Sequence, residues 1–352
     1  MHSQKNSTFK ELIKQARSHK ANNLPFVLYQ LPNQPLVKGL FQNNTALNYT
    51  SNFLESGFVF SPFDGDKSIL LAPDVIKEAD FEREALDLNK SLATIKEDKA
   101  THIKLVEKAI TKIKAEVLKK VVVSRKIEVA TKKDEFKIFK DLLNTYPNAF
   151  KYLWYHPKIG MWIGATPETL LKVEGNTFTT TSLAGTLPVL EGQSPQWTKK
   201  EIEEQQLVTD YIITNLKEKV NDINATPATS VKAGKLWHLK SVITGSYTKE
   251  FNLGKILKIL HPTPAVCGIP KEMSKEFILS NETYDREFYT GFLGELNYKK
   301  DNATNLFVNL RCLKLENLNA AVFVGGGITA GSNAESEWKE TQAKSRTMLN
   351  LL

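Results

Sequence analysis

Apolar residues along this chain recur in two rhythms, and the change from one to the other predicts the elements. Three- and four-residue steps, which gather apolar side chains on one face of a 3.6-residue turn, predict helices at 8–18, 88–119, 134–144, 198–219 and from about 336 onward. Short runs rich in β-branched and aromatic residues predict strands at 25–31, 56–60, 68–71, 120–125, 150–155, 161–166, 177–184, 235–247, 305–314 and 320–326. The 88–119 helix is expected to run straight into the strand that starts at Lys120. Pro167 is suited to open a short helix with Glu168 in its first turn, and Gly185-Thr186 reads as a turn after the 177–184 strand. Many strands with few crossover helices predict an α+β fold with largely antiparallel sheets, not a doubly wound one. No repeat, low-complexity stretch or linker divides the chain, so 1–352 is expected to form a single domain.

Two of these helices break the amphipathic rule. Glu201 and Glu204 precede Leu207, Val208, Tyr211 and Ile212 at helical spacing, which aims both carboxylates along the apolar face. Glu337, Glu340 and Lys344 likewise share a stripe that continues to Met348 and Leu351. Buried anions are costly without a compensating charge, so four converging carboxylates favour a bound cation or protonation, and oxygen donors select a hard cation such as Mg²⁺. The competing reading is two solvated faces with Glu/Lys pairs, and spacing alone leaves both open.

Composition narrows the class. The chain has 352 residues, 41% of them hydrophobic, with a formal charge of +8 and a pI near 9.1. Lys and Glu interleave through stretches such as 96–119 with no basic block, which argues against nucleic acid and suits steering of a small anionic substrate. Cys267 and Cys312 are too few for a disulfide framework or zinc site, and no stretch reaches the ~20 apolar residues of a membrane span. A cytoplasmic protein with no membrane partner is expected.

Single residues add candidate chemistry, each beside a plainer reading. Lys120 opens a β-branched strand and could be an ordinary solvated lysine; Glu168 would be favoured by a helix dipole in any case. Gly325, Gly326 and Gly327 would let backbone N–H groups approach an anion, or form a tight turn. His238, after Trp237, could be a satisfied core histidine. Arg311, in an otherwise apolar strand, calls for an anionic partner.

In order, the segments 120–125 (KVVVSR), 164–170 (GATPETL), 184–186 (AGT), 201–205 (EIEEQ), 261–271 (HPTPAVCGIPK), 286–296 (REFYTGFLGEL), 325–328 (GGGI) and 337–349 (EWKETQAKSRTML) resemble the chorismate-utilising enzymes. The resemblance spans residues 117–352 and leaves 1–116 as a variable N-terminal portion. It implies one large domain of two packed antiparallel sheets covered by helices. It implies Mg²⁺ on Glu204 and Glu340, with Glu201 and Glu337 in or beside its shell. Gly185, Thr186, His238, Ala265, Tyr289, Arg311, Gly325, Gly326, Gly327 and Lys344 match positions that line or bind the substrate, chorismate. Lys120 stands where water-using members carry lysine, Ala184 where a covalent-lysine branch has its lysine, and Ala265 where pyruvate-eliminating branches have threonine. These features imply isomerisation of chorismate to isochorismate by a monomer, for menaquinone or catechol siderophore synthesis, with Lys120 as base and Glu168 as acid. A salicylate-forming enzyme and a non-catalytic chorismate-binding regulator are the alternatives. Gln205, where many relatives have histidine, and Leu187, where an arginine-containing stretch is common, depart from the pattern.

Overall fold

The computed structural model describes residues 7–85, 99–190, 192–233, 236–247, 252–298 and 303–352. In chain order the elements are α1 (Phe9–Ala21), β1 (Phe26–Gln30), β2 (Leu36–Phe41), β3 (Asn48–Thr50), β4 (Gly57–Ser61), β5 (Ser68–Leu71), β6 (Val75–Asp80), α2 (Lys99–Lys114), β7 (Lys120–Ala130), α3 (Glu135–Thr145), β8 (Phe150–His156), β9 (Gly160–Thr166), β10 (Thr169–Glu174) and β11 (Thr177–Pro188). They continue as α4 (Lys199–Leu216), β12 (Asp222–Ala225), β13 (Thr229–Ala233), β14 (Leu236–Ser246), α5 (Leu253–Leu260), β15 (Gly268–Ile269), α6 (Lys271–Asn281), β16 (Phe292–Tyr298), β17 (Ala303–Val308), β18 (Cys312–Glu316), β19 (Asn319–Ile328) and α7 (Ala334–Leu349).

The strands form two antiparallel sheets, ordered β15-β7-β19-β18-β9-β8-β1-β2-β6 and β12-β14-β11-β10-β17-β16-β4-β5-β3, with β13 paired to β14. Between them lies an aromatic core in which Phe60 stacks on Phe288 and Phe150 on Phe307, each pair at 4.3 Å. Helices α1, α3 and α7 cover the outer face of the first sheet and α4 and α5 that of the second. Central strands such as β1, β4 and β8 are therefore buried on both faces, which is why they read as continuous apolar runs. Among the described residues no helix is long and apolar enough to cross a membrane.

Several expectations need correction. Of the 88–119 helix, residues 88–98 lie outside the described residues, and α2 stops at Lys114 instead of running into β7. Glu116 adopts φ +58°, and the N–H groups of Glu116 and Val117 bond Ile113 O and Lys112 O, the pattern that closes a helix C-terminus. No helix starts at Pro167: β9 ends at Thr166 and β10 begins at Thr169, so Pro167-Glu168 is a two-residue crossing between the sheets. The missing proline N–H is one reason the β9 ladder stops there. The 305–314 strand is likewise two strands in different sheets, and Arg311 sits at their junction with φ +48°. Gly185-Thr186 lies within β11 and is not a turn. Strands β2, β3, β6, β10, β12, β13, β15 and β16 and helices α5 and α6 were not expected.

Candidate active site

The two crossings lie side by side, joined by a hydrogen bond from Ala165 N to Arg311 O, and they leave a gap in the first sheet. β18 pairs with β19 as far as Leu313↔Val322, whereas β7 follows β19 to Ile328↔Val121. The other edge of 323–327 faces a cleft that opens to solvent. Gly325, Gly326 and Gly327 form its wall, with Glu168 from one crossing and Arg311 from the other. Gly185, Thr186 and His238 enter from the second sheet, Ala265 and Tyr289 from loops, and Glu204, Glu340 and Lys344 from α4 and α7. Lys120, Glu201 and Glu337 are not part of this wall.

Lys120 reaches the site from behind the glycines: a Cβ on Gly327 would lie 3.1 Å from Lys120 Cε. Its side chain is 0% exposed, and Nζ stands 2.9 Å from Glu204 Oε1. Glu204 is thus the ionic partner of this buried ammonium. Glu168 is 3% exposed, and burial pushes its carboxyl up to about 8 against the pull of Lys120, then Lys344 and Arg311. At neutral pH it is mostly a protonated acid.

A bulge positions His238. β11 and β14 pair at Ala184↔Leu239 and again at Leu187↔Trp237, so Gly185 and Thr186 together oppose His238. Gly185 takes φ +72°, which suits glycine, and its carbonyl is 2.8 Å from His238 Nδ1. A carbonyl can only accept, so Nδ1 carries the proton and Nε2 offers its lone pair to Arg311 Nη2 at 3.4 Å. Burial, then Arg311 and Lys344, push this imidazole down to about 3. The other Arg311 contacts, to Lys344 O and Thr347 Oγ1, are also 3.4 Å long. Among the described residues no carboxylate pairs with Arg311, so its guanidinium is available to an anion in the cleft. Tyr289, its ring stacked on Phe323 at 5.5 Å, brings its hydroxyl beside Gly325.

The carboxylates meet around the open edge of β19. A Cβ on Gly326 would lie 3.5 Å from Glu337 Oε2 and 3.7 Å from Glu340 Oε1, and one on Gly327 would collide with Glu204 Oε1. Neighbouring strand residues point to opposite faces, so the glycines admit α4 and α7 from both sides. Glu201 is not brought to the cluster: its Oε2 accepts from Thr198 N at 2.9 Å and from Thr198 Oγ1, capping α4. Each of the other three holds an ammonium, Glu204 that of Lys120, Glu337 that of Lys200 and Glu340 that of Lys344. Burial would raise Glu204, but Lys120 foremost, with Lys200 and Lys344, holds it below the usual carboxylate range. Burial and then Glu340 raise Glu337. Among the described residues no three His, Cys, Asp or Glu side chains already stand at metal-ligating spacing. The space over Gly326 and the all-oxygen donor set nonetheless fit a hard cation once the lysines yield.

Lys200 was missed in the sequence. Its position four residues before Glu204 was the available signal. Burial would lower its ammonium, but Glu337, then Glu340 and Glu204, raise it. Gln205 lies beneath the site, its Nε2 within 3.0 Å of Ser182 Oγ and Thr209 Oγ1 and 2.9 Å from Ser241 Oγ, in a buried polar network joining α4 to both strands of the bulge.

Similar proteins share this frame. The chain is 29% identical over 256 residues to isochorismate synthase MenF of Haemophilus influenzae, covering 70% of this chain and 59% of that one. It is 34% identical over 200 residues to isochorismate synthase DhbC of Bacillus subtilis, covering 54% and 50%. The alignments thus span between half and two thirds of these relatives' length. The solved structure of MenF from Escherichia coli superposes with a TM-score of 0.78 at 20% identity, covering 93% of this chain and 88% of that one. Residues 69–352 match the family described as chorismate binding enzyme, and the chain belongs to that family.

Proposed function

We propose that this protein is a Mg²⁺-dependent isochorismate synthase. The observation that carries the reading is a fully buried lysine, set close behind the glycine wall of the cleft and held by Glu204, together with a buried carboxyl in the cleft wall pushed up to about 8. They are placed to serve as a base and an acid from different elements, β7 and the β9–β10 crossing. The names of the relatives and the glycine-walled anion site support the same reading.

Chorismate carries two carboxylates. Arg311, Lys344, Tyr289 and the backbone of Gly325–Gly327 bind them, Gly185, Thr186 and Ala265 shape the wall around the ring, and neutral His238 orients Arg311. Lys120, once its ammonium has given its own proton to solvent, takes a proton from water as the neutral amine while the water oxygen bonds to C2, and Glu168 gives its proton to the C4 hydroxyl, which leaves as water. Glu204 and Glu340 are the principal metal ligands, with Glu337 beside them and Glu201 retained in its cap. When bound, Mg²⁺ supplies the charge that holds a ring carboxylate and stabilises the charge developing in the conjugated ring. The reaction serves menaquinone or catechol siderophore synthesis in a cytoplasmic monomer, whose two buried free cysteines suit a reducing compartment.

Incubation of the purified chain with chorismate, with and without Mg²⁺, tests this by chromatography. Metal-dependent isochorismate, lost in Lys120→Ala and Glu168→Gln, is the expected result. Salicylate with pyruvate would move the protein to a sister activity, and no turnover would reduce it to a chorismate-binding protein.

A further inference from the structure

The three ammoniums at the carboxylate cluster differ in how freely they can leave. Lys120 is fully enclosed, on a strand paired on both edges. Lys344 lies on the same helix as Glu340 and also donates to Gly325 O at 3.2 Å. Lys200 comes from a different helix than its partner: from the first turn of α4 it reaches Glu337 Oε1 in the first turn of α7 at 2.6 Å. Its side chain is 25% exposed, against 2% for that of Glu337. Glu337 is thus fixed and buried, whereas Lys200 has a route to solvent. Four residues separate Lys200 from Glu204, so helical spacing puts its stem on the face that carries a second member of the cluster.

We propose that Lys200 is a tethered counter-cation that closes the carboxylate cluster in the metal-free protein and must swing out for a divalent ion to enter. The inference rests on the reading of Glu204, Glu337 and Glu340 as the metal site. Without a cation, two α7 carboxylates beside Gly326 would face each other with buried charge, a costly arrangement that Lys200 relieves. The same pair then opposes metal entry, because Mg²⁺ binding has to break it. The metal-free site is kept assembled, and metal affinity stays low until an anionic substrate adds its own donor.

The test is Mg²⁺ and Mn²⁺ binding to the full chain by titration calorimetry without chorismate, alongside thermal melting. Lys200→Met should bind Mg²⁺ about tenfold more tightly than wild type, since the competing ion pair is gone. It should also melt at a lower temperature without metal and regain the difference at saturating Mg²⁺. Lys200→Arg, which keeps the charge, should behave as wild type, and Lys200→Gln, which keeps a hydrogen-bond donor to Glu337, should reproduce the tighter binding if the methionine variant folds poorly. Equal or weaker binding by folded Lys200→Met and Lys200→Gln would overturn the proposal while leaving the metal site standing. Failure of the metal reading looks different: neither wild type nor any Lys200 variant would bind Mg²⁺ or Mn²⁺.

Discussion

At the scale of the residue, Glu168 shows what the site costs the fold. Its carboxyl is 3% exposed and pushed up to about 8 by burial, although three cations pull the other way. A carboxyl whose folded value is raised contributes its full stability below the unfolded value, and that contribution is lost as pH climbs through the folded one. Glu168→Gln should therefore abolish turnover yet raise stability. The gain should be small near pH 5, grow toward pH 8 and level off above it, reaching on the order of 1–3 kcal/mol. Melting temperatures of both proteins across that range check this, and a variant that is uniformly less stable would show that the carboxylate is not strained. Sequence identified this residue from its motif but put it on a helix. What burial does to its proton depends on Lys344 and Arg311 in the cleft wall and Lys120 behind it, all distant in the chain.

At the scale of the element, the glycines of β19 and the bulge in β11 do work that their spacing did not disclose. Gly325–Gly327 read equally as an anion nest or a tight turn; they are extended strand, paired to β7 on one edge. The residue type matters because α7 packs on the strand at Gly326 and the Glu204 side chain of α4 reaches it at Gly327. Gly327→Ala would put a methyl group into Glu204 Oε1 and within reach of Lys120. It should leave the chain folded, at a cost of about 1–2 kcal/mol, while kcat/KM falls by about 100-fold. Steady-state kinetics with denaturant unfolding distinguishes this from general loss of structure, and near wild-type activity would mean the close approach is dispensable. The acidic stripes of α4 and α7 were legible as carboxylates in line with apolar residues, but not whether that face is buried. That Glu201 turns back to cap its own helix was not, because a capping box and an inward-facing carboxylate share the same spacing.

At the scale of the whole molecule, the N-terminal segment belongs to both sheets. β1 pairs with β8 and β4 with β16, so strands from the first 85 residues extend each sheet and bury their side chains in the aromatic core. We therefore propose that the variable N-terminal portion and the motif-bearing portion fold as one unit. Removal of residues 1–85 should expose the free edges of β8 and β16 and yield aggregated or unfolded protein. Circular dichroism and size-exclusion chromatography would show this, and a folded, active fragment would refute it.

By itself the sequence determined the fold class, the α+β alternation and, through ordered motifs, the family. Those follow from local periodicity and from residue types at fixed spacing, which a chain carries wherever it folds. Tertiary structure decided where strands stop and sheets exchange them, because Pro167-Glu168 reads as a helix start and Asn309–Arg311 as the middle of one strand until a second sheet gives the chain somewhere else to go. It also decided which lysine faces which carboxylate. The ion pairs Lys120–Glu204 and Lys200–Glu337 join elements far apart in the chain, and no local pattern encodes a contact that exists only once the layers have packed.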